Sequence, residues 1–337
     1  MCRNGRIILA VVATLALVLT GVAGLRAETV LPDSPEGLLR LAEASGAKCC
    51  YTAVGTTHVR ENGKRIALEF RKYHARAHRL RIEYLSNPLK GVVVVHSDRM
   101  TWRMDPKMGK LERVDHVYPP GRFRSLKLLL KNHAVETGDG GQVAGRPTIL
   151  LIVKSKTGVV RNRTWFDAST YVTLRTENYD AEGEQVSSTE YRSITYADSL
   201  PSSLFDLPEG KFRTRSHEKA TESMSLDRLS SEVGFQVVLP AFMPAGYKRT
   251  GSRLLTIPKS DRKAAFLSYS NGLDSISIFE ARRSSADPRK DALRSAGRLV
   301  GHNGQVRISV ADTPVMSYVV IGELSRLQLD RIADSLR

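Results

Sequence analysis

Between Ser34 and Tyr196 the spacing of apolar residues changes from helical to alternating, back to helical, and to alternating again. Ser34 followed by Pro35 is a helix start, a side-chain cap before a first-turn proline. Leu38, Leu39, Leu41 and Ala42 fall on one face, which predicts a helix over 35–46. After Lys48 the period is two. Tyr51 to Arg60 reads as a strand. Ile66, Leu68 and Phe70 alternate with Arg65, Ala67, Glu69 and Arg71, and Leu80, Ile82 and Tyr84 alternate with Arg79, Arg81 and Glu83. Both segments are strands with one apolar and one charged face. Val92 to Val95 is a short buried-type strand, and Trp102 and Met104 share a face of the next. Phe123 to His133, with Leu126, Leu128, Leu129 and Leu130, returns to helical spacing. Strands are then expected at 148–154, 159–166, 171–178 and 185–196.

The links between these late strands carry turn chemistry: Lys156-Thr157-Gly158, Asp167-Ala168-Ser169, and Asp180-Ala181-Glu182-Gly183. Short turns between successive strands imply antiparallel hairpins and a meander. Gly138-Asp139-Gly140-Gly141 lies between β-type segments and is expected to be a hairpin turn, not a nucleotide cradle. This order excludes a doubly wound α/β fold. The expected class is α+β, a curved antiparallel sheet (a half-barrel) wrapped around helices, whose apolar face is either a pocket for an acyl chain or apolar peptide, or plain core under the helices.

Residues 209–224 are polar and aperiodic and read as a linker between a unit spanning 28–208 and a smaller α+β unit spanning 225–337. In the second unit Phe235–Leu239 is expected to be a strand ending at Pro240, and Pro244, Gly246 and Tyr247 mark a turn. Further strands are expected at 254–257, 264–270, 275–281, 306–310 and 318–321. Ser325 is placed to cap a last helix with Leu329, Ile332 and Leu336 as its apolar stripe.

The N-terminus is of another kind. Arg3 and Arg6 precede 18 uncharged, mostly apolar residues from Ile7 to Gly24, and Leu25-Arg26-Ala27 is an imperfect small-residue cleavage site. Residues 1–27 read as a signal peptide for export to a periplasm, with an uncleaved anchor as the alternative. Cys2 precedes the apolar stretch, unlike the cysteine of a lipoprotein signal.

After cleavage only the adjacent Cys49 and Cys50 remain. A bridge between neighbours closes almost no loop and would stabilise little. The alternatives are core packing, the preferred one, or pairing between chains in a homo-oligomer. The spacings for zinc and redox sites, the G-x-S-x-G elbow and the P-loop are all missing from the 337 residues. The eight histidines are scattered and read as solvated loop residues. His74 and His78 are four apart, but the pattern puts a turn there, where that spacing does not converge on a metal. No metal, cofactor or catalytic residue is expected, and the chain reads as a non-enzyme.

Charge is the informative feature. Of 51 Lys and Arg against 35 Asp and Glu, the segment Arg60 to Lys131 holds eighteen basic and seven acidic residues, a net of +11. These bases alternate with apolar residues on strands and line a sheet face. Such a face attracts acidic or phosphate-rich partners, or is simply solvated. An exported protein without an aromatic stacking platform is not expected to bind nucleic acid. Arg71, Lys72, Arg79, Arg81, Arg99 and Arg103 are the candidates for anionic head groups. Phe70, Leu80, Ile82, Trp102 and Met104 are the candidates for lining an apolar pocket, each also a plausible core residue.

Two sets of residues carry a family resemblance. Thr164-Trp165-Phe166-Asp167, Thr170, Leu174-Arg175, Asp180 and Gly183, closing at Phe205-Asp206-Leu207-Pro208, resemble exported lipid-binding proteins of the lipoprotein-carrier superfamily. Tyr171 stands where that pattern commonly has Gly or Lys. Leu239-Pro240, Met243-Pro244-Ala245-Gly246-Tyr247, the run Tyr269 to Ile278, and Val320-Ile321-Gly322-Glu323-Leu324 before a terminal helix resemble the C-terminal domain of the RseB/MucB family, which lipoprotein carriers lack. The resemblance implies a periplasmic regulator. It would bind the periplasmic segment of a membrane anti-sigma factor, shield it from proteolysis, and be released by lipopolysaccharide or mislocalised lipoprotein under envelope stress. A carrier of lipoproteins or lipids is the alternative, and an exported enzyme of unrecognised type is the third class.

Overall fold

The computed structural model describes residues 32, 34–61, 64–97, 100–114, 125–207, 213–215, 223–257, 262–284 and 307–337. The signal segment, Arg99, His116, His217 and His302 lie outside them.

Helix α1 (Pro35–Lys48) starts where the sequence puts it, with Ser34 Oγ accepting the Gly37 N–H at 3.1 Å. Six strands follow: β1 (Cys50–Glu61), β2 (Lys64–Ala75), β3 (Arg79–Tyr84), β4 (Val93–Ser97), β5 (Met100–Asp105) and β6 (Lys110–Val114). Helix α2 (Leu126–Asn132), capped by Ser125, leads to β7 (Ala134–Val143), β8 (Arg146–Lys154), β9 (Val160–Asp167), β10 (Thr173–Tyr179) and β11 (Gln185–Ala197). Together with β12 (Arg213–Arg215) these strands form one sheet in the order β12-β6-β5-β4-β3-β2-β1-β11-β10-β9-β8-β7. Its pairs are antiparallel except β12 on β6. The sheet is curved and open.

Instead of one continuous meander there are two, β1–β6 and β7–β11, joined by β1 pairing with β11. The chain leaves one edge after β6 and re-enters at the other edge with β7, and α2 lies in that crossover. Within the expected linker, Arg213–Arg215 supplies the edge strand β12.

One further expectation is corrected in the first sheet. The glycine run 138–141 is a bulge inside β7, where the register to β8 shifts between Asp139 and Gln142. Gly141 has φ +65°, and a Cβ at Gly140 would stand 2.8 Å from Trp165 Cδ1. The hairpin turn itself falls at Ala144-Gly145, both left-handed. Tyr171 is also left-handed, with φ +58°, at the position where the resembling proteins commonly have Gly or Lys.

The second sheet has the order β13-β14-β15-β17-β16, from β13 (Lys248–Thr256), β14 (Lys263–Ser270), β15 (Ser275–Arg282), β16 (Arg307–Asp312) and β17 (Met316–Gly322). The expected last helix is preceded by an unexpected one: α3 (Leu226–Val233), capped by Ser225 and closed by left-handed Gly234, comes before α4 (Arg326–Asp334), capped by Ser325. Leu229, Leu329, Ile332 and Leu336 bury against Leu267, Ile276, Ile278 and Val320 on one sheet face. The expected strand at Phe235–Leu239 is not a strand. Its amides find side chains instead of a neighbouring ladder: Val237 N–H donates to Ser230 Oγ and Val238 N–H to Glu280 Oε2, each at 3.0 Å.

Candidate functional site

Antiparallel partners share a face of the sheet, so the registers sort the basic strands. Phe70 pairs with Tyr84, Lys72 with Ile82 and His74 with Leu80. Leu80 and Ile82 in turn pair with His96 and Val94, which pair with Thr101 and Arg103. These residues form one inner face, continued on β1 and β11 by Tyr51, Ala53, Tyr191 and Tyr196. At its far end α1 and α2 pack Leu38, Leu39 and Leu129 onto Ile149, Leu151, Val153 and Phe166.

The same registers put Arg71, Arg81 and Glu83 on the outer face with Val93, Val95, Trp102 and Met104. Cys50, Ala75, Val93, Val95 and Phe205 form a core there, and the 3-10 turn Ser202–Phe205 covers it. The candidate set therefore divides. Phe70, Lys72, Leu80, Ile82 and Arg103 are inner. Arg71, Arg79, Arg81, Trp102 and Met104 are outer, where Arg81 bonds Glu83 at 2.7 Å and the Leu204 carbonyl at 3.3 Å, Arg71 lies 3.9 Å from Glu83, and the Arg79 guanidinium sits 5.1 Å from the Phe205 ring centre. Trp102 and Met104 cannot line one pocket with Leu80 and Ile82, because a β-strand turns successive side chains to opposite sides.

The centre of the inner face is aromatic. Lys72 Nζ donates to Tyr191 OH at 2.9 Å and lies 5.5 and 5.7 Å from the ring centres of Tyr51 and Tyr191. The His74 ring stacks on Tyr51 at 4.9 Å, and its Nδ1–H donates to the Cys49 carbonyl at 3.0 Å. Burial, with Lys72 nearby, lowers the His74 pKa to about 4, so the ring is neutral at pH 7. His74, His96 and His133 are all buried, which corrects the expectation of solvated loop histidines. Towards β3–β5 the face opens: Lys72, Ile82, Tyr84, Val94 and Arg103 are half-buried. Cys49 packs towards the inner aromatic cluster and Cys50 into the outer core, and both are free thiols.

At the end of β9, Asp167 is almost fully buried and bonds Arg146, Ser169, the Thr170 amide and Tyr196 OH. Burial raises its pKa, but these donors outweigh it and hold the carboxylate below its usual value. This cluster fixes the turn that the sequence motif marks.

Sequence reasoning missed the junction between the sheets. The loop 271–274 between β14 and β15 docks against α2 and β9. Gly272 has φ +103°, and a Cβ there would overlap the Leu129 backbone. Asn132 Nδ2 donates to the carbonyls of Gly246 and Asn271, each at 2.9 Å. Arg161 meets Asp274 at 3.0 Å with both side chains buried. Leu273 reaches the cluster under α1 and α2. The Asn-Gly pair was a legible turn signal, but its docking partner was not legible.

A large open sheet whose inner face has a buried aromatic centre and a half-buried stretch towards β3–β5, clasped to a second five-stranded sheet, defines a two-sheet α+β protein. That architecture is the MucB fold. The chain is similar to MucB in complex with MucA(peri), with a TM-score of 0.59 and 16% identity over 89% of this chain and 97% of that one. It is similar to the Pseudomonas aeruginosa MucA/MucB complex at 0.59 and 16%, over 88% and 96%, and to MucB alone at 0.51 and 17%, over 88% and 95%. No family model and no curated protein sequence matches the chain. The solved structures agree with the RseB/MucB resemblance read from the two motif sets.

Proposed function

We propose that the exported chain is a periplasmic, non-enzymatic negative regulator. It binds the periplasmic segment of a membrane anti-sigma factor, shields that segment from proteolysis, and releases it when lipopolysaccharide or a lipoprotein acyl chain occupies the inner face. The observation that carries this reading is the likeness across both sheets to MucB solved with MucA(peri). In this reading residues 28–208 are the sensing unit, 209–224 the linker, and 225–337 the unit that makes most of the anti-sigma contact. Lys72, Ile82 and Arg103 are the half-buried inner-face residues proposed to meet an amphiphile, and Phe70 and Leu80 are buried core residues of the same face. Release requires only that the amphiphile bind the partner-free form more tightly than the partner-bound form.

The half-open inner face also suits a carrier of lipids or lipoproteins. A pull-down from detergent-solubilised membranes of the source cell, with tagged mature chain as bait and mass spectrometry of captured proteins and lipids, separates the two. One single-span protein with a cytoplasmic sigma-binding domain supports the regulator. Many unrelated lipoproteins without such a partner overturn it in favour of a carrier.

A further inference from the structure

Glu280 is fully buried on the helix-covered face of the second sheet. Its strand neighbours on that face are Ala265 and Tyr318, and Ile278 precedes it. Its Oε2 accepts the Val238 amide at 3.0 Å, and its Oε1 is buried without a hydrogen-bond partner among the described residues. The charged and titratable groups around it do not neutralise it. Tyr269 on β14 and Tyr318 on β17 are uncharged phenols whose own pKa values burial raises. Arg282 on β15 is exposed and donates to the Gly234 carbonyl. Lys263 on β14 bonds the Glu232 carbonyl and carboxylate on α3. Among the described residues this carboxylate has one donor and no cation, so burial favours the protonated form. Its pKa is pushed up to about 7.

The segment that Glu280 holds is the strap 235–243. Beyond Glu280, its amides are tied by Ser230 Oγ to Val237 and by the Ser335 carbonyl to Ala241. Its Phe235, Val237, Val238, Phe242 and Met243 pack on the second core.

We propose that Glu280 is a pH-sensitive pin: with its carboxyl protonated the strap lies closed over the second core, and ionisation of that carboxyl frees it. In the open strap the carboxyl is hydrated and titrates near its ordinary value. Opening therefore becomes easier as pH rises from that value through the closed-state value, and levels off above it.

The test is hydrogen exchange of the Val238 amide in the full mature chain at pH 5 and pH 7.5, corrected for intrinsic exchange, with the Val320 amide as the global reference. Protection of Val238 is expected to fall by about tenfold or more between the two pH values while Val320 holds, and Glu280→Gln is expected to abolish the fall. A pH-independent Val238 in the unmutated chain overturns the proposal whatever the variant does, and so does a Glu280→Gln protein that keeps the same fall. The outcome does not depend on any partner, so it stands or fails apart from the regulatory reading.

Discussion

Arg161 on β9 and Asp274 in the β14–β15 loop pair at 3.0 Å in a site from which solvent is almost excluded, and they belong to different sheets. Burial raises the Asp274 pKa to about 6, Arg161 opposes that shift, and Glu323 adds to it. The pair is thus a clasp whose value lies in being complete. Asp274→Ala strands a buried guanidinium and is expected to cost about 3–5 kcal/mol. Replacing both by apolar residues, Arg161→Met with Asp274→Leu, is expected to cost less than the single change. Urea unfolding of the three proteins checks the order. A double variant as damaged as Asp274→Ala would contradict it.

The rest of the clasp uses neutral groups. Asn132→Ala leaves the carbonyls of Gly246 and Asn271 without their donor and is expected to cost about 1–3 kcal/mol. Gly272→Ala meets both a left-handed backbone and the α2 backbone, so it is expected to undock the loop. Limited proteolysis between the sheets should accelerate in both variants, more in Gly272→Ala.

His74 sets an acid limit on the first sheet. The folded ring titrates near 4 and the unfolded ring near 6.5, so the unfolded chain takes up the proton first. Stability from this residue is complete above about pH 6.5 and is lost as pH falls towards 4, by up to about 1.4 kcal/mol per pH unit. His74→Gln removes the proton site and is expected to flatten the urea midpoint between pH 6.5 and pH 4.5. An unchanged slope would assign the acid sensitivity elsewhere.

Most strands and helices were legible because alternation and capping are local. Ser34 and Ser325 cap the helices that the sequence places after them, and on β2 the apolar Phe70 is buried between half-buried Glu69 and exposed Arg71. The inner and outer assignment was not legible, because which face of β5 joins which face of β3 is settled by β4, a short run of valines with no polar alternation. Phe235–Leu239 looked like a strand because it is apolar, and only Ser230 and Glu280, distant in sequence, show what its amides bond instead. Eight-residue α3 was hidden by its polar composition.

The divided face gives a contrast between variants. Lys72→Glu with Arg103→Glu places acid on the inner face and is expected to weaken binding of anionic phospholipid micelles in a salt-dependent way. Arg79→Glu with Arg81→Glu is expected to act through lost contacts to Phe205, Glu83 and the Leu204 carbonyl. That pair should lower stability without changing micelle binding. Fluorescence titration at two salt concentrations reads both, and equal losses in binding would contradict the inner-face assignment.

The most direct measurement is calorimetric titration of the mature chain with the periplasmic segment of the single-span anti-sigma factor from the same cell, with and without anionic amphiphile. The regulatory reading predicts a saturable complex of fixed stoichiometry that the amphiphile weakens. Absence of binding to that segment, with amphiphile binding intact, would contradict it and leave a carrier.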